Sequence, residues 1–161
     1  NSFPLTNDGK INLYSKFTEK ILYLSKASGI IVQGDIATGF DTKRLFDYLI
    51  QKELLSNFHH FHNRGKFFDI HRDTKFALLT IRQNSLITEF MFNIVSYDEV
   101  NDKNRKINLS KTDITLINPN TKNAPVLRNN EDLRLTKKLY SLPIVCNLNT
   151  INSWNIQNHR M

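Results

Sequence analysis

A single cysteine, Cys146, in a chain of 161 residues excludes an internal disulfide framework and any thiolate-based zinc cage. No apolar run is long enough to cross a bilayer, and the first residues lack the basic-then-apolar order of a secretory signal. Glycine is scarce, and Gly29, Gly34 and Gly39 fit neither the dinucleotide-binding fingerprint nor a Walker phosphate loop. No serine sits in a nucleophile elbow. These absences make a cytoplasmic protein the expectation. With no initiator methionine, the chain is also expected to be cut from something longer.

What is present suits one globular unit. Apolar residues make up 40% of the chain, enough for a core, and charged residues 23%, too few for disorder throughout. Lys+Arg 22 against Asp+Glu 15 leaves +7, a charge that permits a nucleic-acid partner without demanding one. Tyr14, Phe17, Ile21 and Leu24 recur three and four apart, which predicts a helix over 12–24 with that face buried. Gly29 is expected to stop it. The β-branched run at 30–32 predicts a strand covered on both faces. After a loop over 33–40, Asp41 is placed to cap a helix over 42–54, whose buried side carries Leu45, Phe46 and Leu49. Strands are expected over 56–61, 76–81 and 88–95, the last with Phe90, Phe92 and Ile94 alternating towards one core face. This order predicts an α/β sheet ending in an antiparallel hairpin.

Beyond Tyr97 a polar connection over 98–106 precedes a capping signature, Ser110 with Asp113, and Leu109 stapling onto Ile114. Asn118-Pro-Asn-Thr121 is turn chemistry. A further helix is expected from Asn130, acidic at its start, with Lys137 and Lys138 near its end and Pro143 to stop it.

Two clusters carry the residue types of a functional site. His59, His60, His62 and His71 with Asp69 and Asp73 have the palette of a metal centre or metal-dependent nuclease. His59 and His60 are neighbours on an expected strand, however, and so face opposite ways, and no second group at ligand spacing joins them. No metal is assigned. The loop over 63–75 interleaves Arg64, Lys66, Arg72 and Lys75 with Phe67 and Phe68. Cations there can neutralise phosphates, and a flat ring can stack on an unpaired base. The competing reading is a solvated basic loop with one phenylalanine tucked into the core and Arg72 paired to Asp73. The residues alone leave both open. Cys146 reads as a small buried hydrophobe and Trp154 as an exposed or interface aromatic.

The order of segments resembles one family. Phe3-Pro-Leu-Thr6, Gly9-Lys-Ile-Asn-Leu-Tyr14 and Phe17, then Gly29-Ile-Ile-Val32 with Ile36-Ala-Thr38, then Asp41-Thr-Lys43 with Phe46 and Leu49 are similar to successive segments of large adenine-specific (N6) DNA methyltransferases. These are the enzymes of the type IIG restriction–modification and phage-exclusion kind. Residues 61–81 are the most similar stretch, with Asn63-Arg-Gly-Lys-Phe-Phe68, His71-Arg72 and Lys75-Phe-Ala-Leu-Leu-Thr-Ile81. Asn118-Pro-Asn-Thr121, Pro125, Arg128, Leu135-Thr-Lys137, Tyr140, Trp154 and Arg160-Met161 continue the resemblance over nearly the whole chain. Gln33 stands where the family usually has proline, and residues 26–28 replace its Pro-Gly-Gly turn.

The resemblance implies the later half of a Rossmann-like methyltransferase sheet over 1–96: a parallel strand, a reversed hairpin and an extra strand. A helical connector over 97–161 would lead towards a target-recognition region. It further implies DNA as partner and S-adenosylmethionine as cofactor of the full-length parent. The Gly-rich loop that holds this cofactor in the family, and the Asn-Pro-Pro-Tyr segment that holds the adenine amino group, are not in this sequence. No catalytic or cofactor-binding residue is therefore assigned, and the polypeptide alone is expected to be inactive. Phe68, with Phe67 as the alternative, takes the position that stacks on the extruded base, and Lys66, Arg72 and Lys75 are expected at the DNA backbone. A sheet truncated in this way exposes an edge near 30–32, which is expected to pair with the missing N-terminal half or with another copy. The alternatives are a free-standing nucleic-acid-binding module and a metal-dependent nuclease built on His59, His62, Asp69 and His71.

Overall fold

A computed structural model describes residues 3–7 and 10–141. Five strands form one mixed sheet: β1 (Ala27–Gln33), β2 (Leu55–His62), β3 (Lys75–Arg82), β4 (Ile87–Ile94) and β5 (Ile107–Ser110). Their order across the sheet is β1-β3-β2-β4-β5. The reversed strand β3 lies antiparallel between β1 and β2, β4 runs parallel to β2, and β5 is antiparallel to β4. Four helices are described, α1 (Leu13–Leu24), α2 (Lys43–Gln51), α3 (Lys111–Ile117) and α4 (Asn130–Tyr140). The result is the expected α/β class, consistent with part of a Rossmann-like sheet.

The main core lies under the helices. Phe58, Phe90 and Phe92 pack with ring centroids 5.7–5.8 Å apart, and Phe46 of α2 meets Phe90 edge-on. Leu45 and Leu49 of α2, Ile114 and Ile117 of α3 and Leu133 of α4 complete it. Burying each such side chain contributes roughly 1.5–3 kcal/mol. A second, smaller cluster of Phe61, Phe76, Met91 and Ile94 sits on the opposite face, with Phe67 and Val100 against it.

Local chemistry sets several elements as expected. Ser110 and Asp113 form a reciprocal capping box at α3, and the Asn129 side chain accepts from the Asp132 amide to start α4. Elsewhere the structure differs. Of the face of α1 expected to be buried, Tyr14 and Ile21 are half-buried, Tyr14 against the core, but Phe17 and Leu24 are 66% and 72% exposed, and Ser15, Thr18 and Glu19 are the buried residues. The cause is Glu19, whose carboxyl accepts from the Leu5 amide at 3.0 Å and the Thr6 hydroxyl at 2.7 Å. Those bonds hold residues 3–7 against the polar side of the helix. Gly29 does not stop α1, which ends at Leu24, but lies inside β1.

The strand at 30–32 is not covered on both faces either. β1 is the sheet's edge among the described residues, and Ile31 is 60% exposed. Asp41 does not cap α2, whose N-cap is Thr42 without a side-chain cap bond. In β4 the alternation breaks after Phe92. His59 pairs with Met91 but Phe61 with Ile94, so β4 carries one extra residue. Ile94 is thereby turned into the second cluster, away from Phe90 and Phe92. Residues Gly9, Pro143, Cys146, Trp154, Arg160 and Met161 lie outside the described residues.

Candidate nucleic-acid interface

The loop joining β2 to β3 is built around Asn63, which is 2% exposed. The two hydrogens of its amide nitrogen are shared among the carbonyls of Phe68 at 3.1 Å, Ile70 at 3.0 Å and His71 at 3.3 Å, and its oxygen accepts from the Phe68 amide at 3.0 Å. One side chain thus stands in for the ladder that a loop lacks. A 3₁₀ turn, Asn63–Gly65, opens the loop, and Lys66 follows with φ 54, a left-handed backbone. A Cβ built at Gly65 would fall 2.0 Å from the Val95 carbonyl oxygen, so only glycine permits the loop to lie against the end of β4.

This clasp separates the two adjacent phenylalanines. Phe67 turns inward, edge-on to Phe61 at 5.2 Å, Phe76 at 5.8 Å and Tyr97 at 4.9 Å. Phe68 stays 45% exposed and touches Phe76 by its edge. The two rings, with Phe61, Phe76, Ile31 and Leu78, line an apolar groove of about 420 Å³ on the sheet face opposite the main core. Lys66, Arg72 and Lys75 are all exposed. Arg64 is not free in the same way: its guanidinium holds Asp73 at 3.0 Å, and that hydrogen bond keeps the Asp73 carboxyl below the ordinary range. Arg72 stands 4.0 Å from the same carboxylate.

The histidines do not converge. Nε2 of His59 lies 2.9 Å from Glu89, on the sheet face opposite His60, while His62 stands 3.7 Å from Asp73. Burial raises the pKa of Glu89, but the bonds from His59 and Lys106 outweigh it and leave it lowered. Among the described residues no three of His, Cys, Asp and Glu come together as a set that could hold a metal ion.

His60, considered in the sequence only as part of a metal-type cluster, lines a second cavity, of about 600 Å³, at the carboxyl ends of β1, β2 and β4. The Asn93 amide donates to His60 Nδ1 at 3.3 Å, which leaves the ring proton on Nε2. Burial, then Lys75 and His62, lower its pKa from 6.5 to about 4. The unfolded chain therefore takes the proton first. This group's contribution is complete above about pH 6.5 and lost as the pH falls towards 4, at most on the order of 3 kcal/mol. Urea denaturation at neutral pH and near pH 4.5 should show a larger loss for the wild type than for His60→Phe. Equal losses would exclude His60 as the source. His62, whose pKa is also lowered, first by burial, acts in the same direction in both proteins.

No family model and no curated protein matches this sequence. Among solved structures, the type IIG restriction endonuclease BpuSI aligns at a TM-score of 0.49 and 13% identity, over 68% of this chain and 15% of that one. This chain thus spans a small part of the length of that enzyme.

Proposed function

We propose that this polypeptide is part of an S-adenosylmethionine-dependent, adenine-specific DNA methyltransferase of a restriction–modification or phage-defence system. In this reading it supplies one wall of the pocket for the flipped base, together with contacts to the DNA backbone. The observation that carries the reading is Phe68, held outward by the Asn63 clasp beside the exposed cations Lys66, Arg72 and Lys75.

Methyl transfer to an exocyclic amine needs the sulfonium carbon and the base nitrogen in line and in contact. The base must first leave the duplex. A half-exposed ring on a stiff loop suits the second requirement, because stacking contributes roughly 1–3 kcal/mol per base at little ordering cost. Segments other than these residues would hold the methyl donor and the adenine amino group, so this chain alone neither binds the cofactor tightly nor methylates DNA. The edge of β1, unpaired among the described residues, and the apolar groove beside Ile31 and Leu78 suit the remainder of such a catalytic domain, or another copy.

Phe68→Ala is expected to weaken binding to DNA carrying an unpaired adenine by about 5- to 150-fold, as 1–3 kcal/mol of stacking dictates. Fluorescence anisotropy against mismatched and fully paired duplexes checks this. Removing Lys66, Arg72 and Lys75 together should weaken both duplexes alike and flatten the salt dependence. An unchanged affinity in Phe68→Ala would sink the stacking role. Tight, saturable heat of S-adenosylmethionine binding to this chain would overturn its assigned incompleteness.

A further inference from the structure

We propose that the cavity at the carboxyl ends of β1, β2 and β4 is a second site for an unpaired nucleobase, its edge read by His60 Nε2–H with the carboxamides of Gln33 and Asn93. The choice of a base over another flat heterocycle rests on the DNA reading above. Four observations on the cavity itself converge. His60 is 8% exposed, its Nδ1 is taken by the Asn93 amide, and no group among the described residues accepts from Nε2–H. Asn93 is a non-glycine residue at φ 55, a left-handed backbone inside a strand. It occupies the extra-residue segment of β4, and such bulges re-aim side chains. Finally, Gly34 leaves the imidazole its room, since a Cβ there would fall 2.8 Å from Nε2 and 3.1 Å from Lys75 Cβ.

The lining decides the ligand class. His60 offers one neutral donor, Gln33 and Asn93 can each donate and accept, and the Asp35 carboxylate accepts. That mixture matches a base edge, where an acceptor nitrogen or carbonyl lies beside an amine. A phosphate would meet the carboxylates of Asp35 and Asp73 with Lys75 the one cation among the lining residues. The volume lies in the range of small-molecule sites, and ligands of open α/β sheets bind beyond the carboxyl ends of the strands. Phe68 lines the other groove, and the two cavities share no lining residue.

Long-range proton–nitrogen spectra of the labelled chain, titrated with adenosine, cytidine, guanosine and thymidine, test this directly. One nucleoside at least should move the His60 Nε2 resonance saturably. His60→Phe and Gly34→Ala, the second of which keeps the imidazole but fills its space, should each weaken that binding by about tenfold or more, whereas Phe68→Ala should leave it in place. No movement with any nucleoside, or undiminished binding in Gly34→Ala, overturns the site. A single-stranded oligonucleotide separates the two readings. Phe68-dependent binding without a His60 response overturns this site alone. A His60 response with no Phe68 dependence supports this site and overturns the stacking role.

Discussion

Asn63→Ala is expected to cost about 2–4 kcal/mol and to release the loop between β2 and β3 from its single conformation. The Phe68 amide and the Ile70 carbonyl lose their partner at once, and the Phe68 and His71 carbonyls keep only their backbone bonds from Ile70 and Thr74, at an amide side chain that is 2% exposed. Each buried polar group left unpaired costs about 1–3 kcal/mol, and water entering the loosened loop recovers part of that. Four backbone bonds, from the amides of Asn63, Lys66, Ile70 and Thr74 to the carbonyls of Thr74, Asn63, Phe68 and His71 respectively, do not involve the side chain and survive. The expected result is thus a loosened loop on a folded sheet. Trypsin supplies the sharpest readout, since Arg64, Lys66 and Arg72 all lie in the loop. Cleavage there should accelerate in Asn63→Ala well before global unfolding. Asn63→Asp should fall between, because it keeps the acceptor for the Phe68 amide and loses all three donated bonds. A variant as stable and as resistant to trypsin as the wild type would show that the loop holds itself.

The same loop marks how far the residues alone could be read. That one of Phe67 and Phe68 would turn inward follows from adjacency, and which one does so is set by the Asn63 clasp, a tertiary fact. Elements fixed by neighbours in sequence were legible. The Ser110–Asp113 box needs only three-residue spacing, and α3 starts there. Elements fixed by distant partners were not. The apolar period of α1 pointed to Phe17 and Leu24, but the helix is anchored through Glu19 by residues 13 and 14 positions earlier in the chain. Likewise, a β-branched run marks β1 as a strand but cannot say that its outer edge stays open among the described residues. The extra residue in β4 has no signature either, because Asn93 adopts a left-handed backbone without being glycine. The bond from the Asn93 amide to His60 Nδ1 comes from that segment, so the cavity the two residues line was beyond the reach of motif or spacing.

Glu19 gives the other large expected effect, and its variants separate hydrogen bonding from volume. Glu19→Ala should cost about 2–4 kcal/mol, since it strands the Leu5 amide and Thr6 hydroxyl and leaves a void under the helix. Leu5 and Thr6 are themselves buried, so water cannot readily replace the carboxyl unless residues 3–7 detach. Glu19→Gln keeps an acceptor for the Leu5 amide and can turn its nitrogen towards the Thr6 oxygen, so it should cost less than about 1 kcal/mol. Glu19→Leu fills the space without either bond. If the bonds dominate, leucine behaves like alanine; if packing dominates, it behaves like glutamine. Urea denaturation ranks the three, and hydrogen exchange at the Leu5 amide reads detachment of the segment. Full protection of that amide in Glu19→Ala would mean that other contacts hold residues 3–7. The exposed Phe17 and Leu24 would then need a cause other than Glu19.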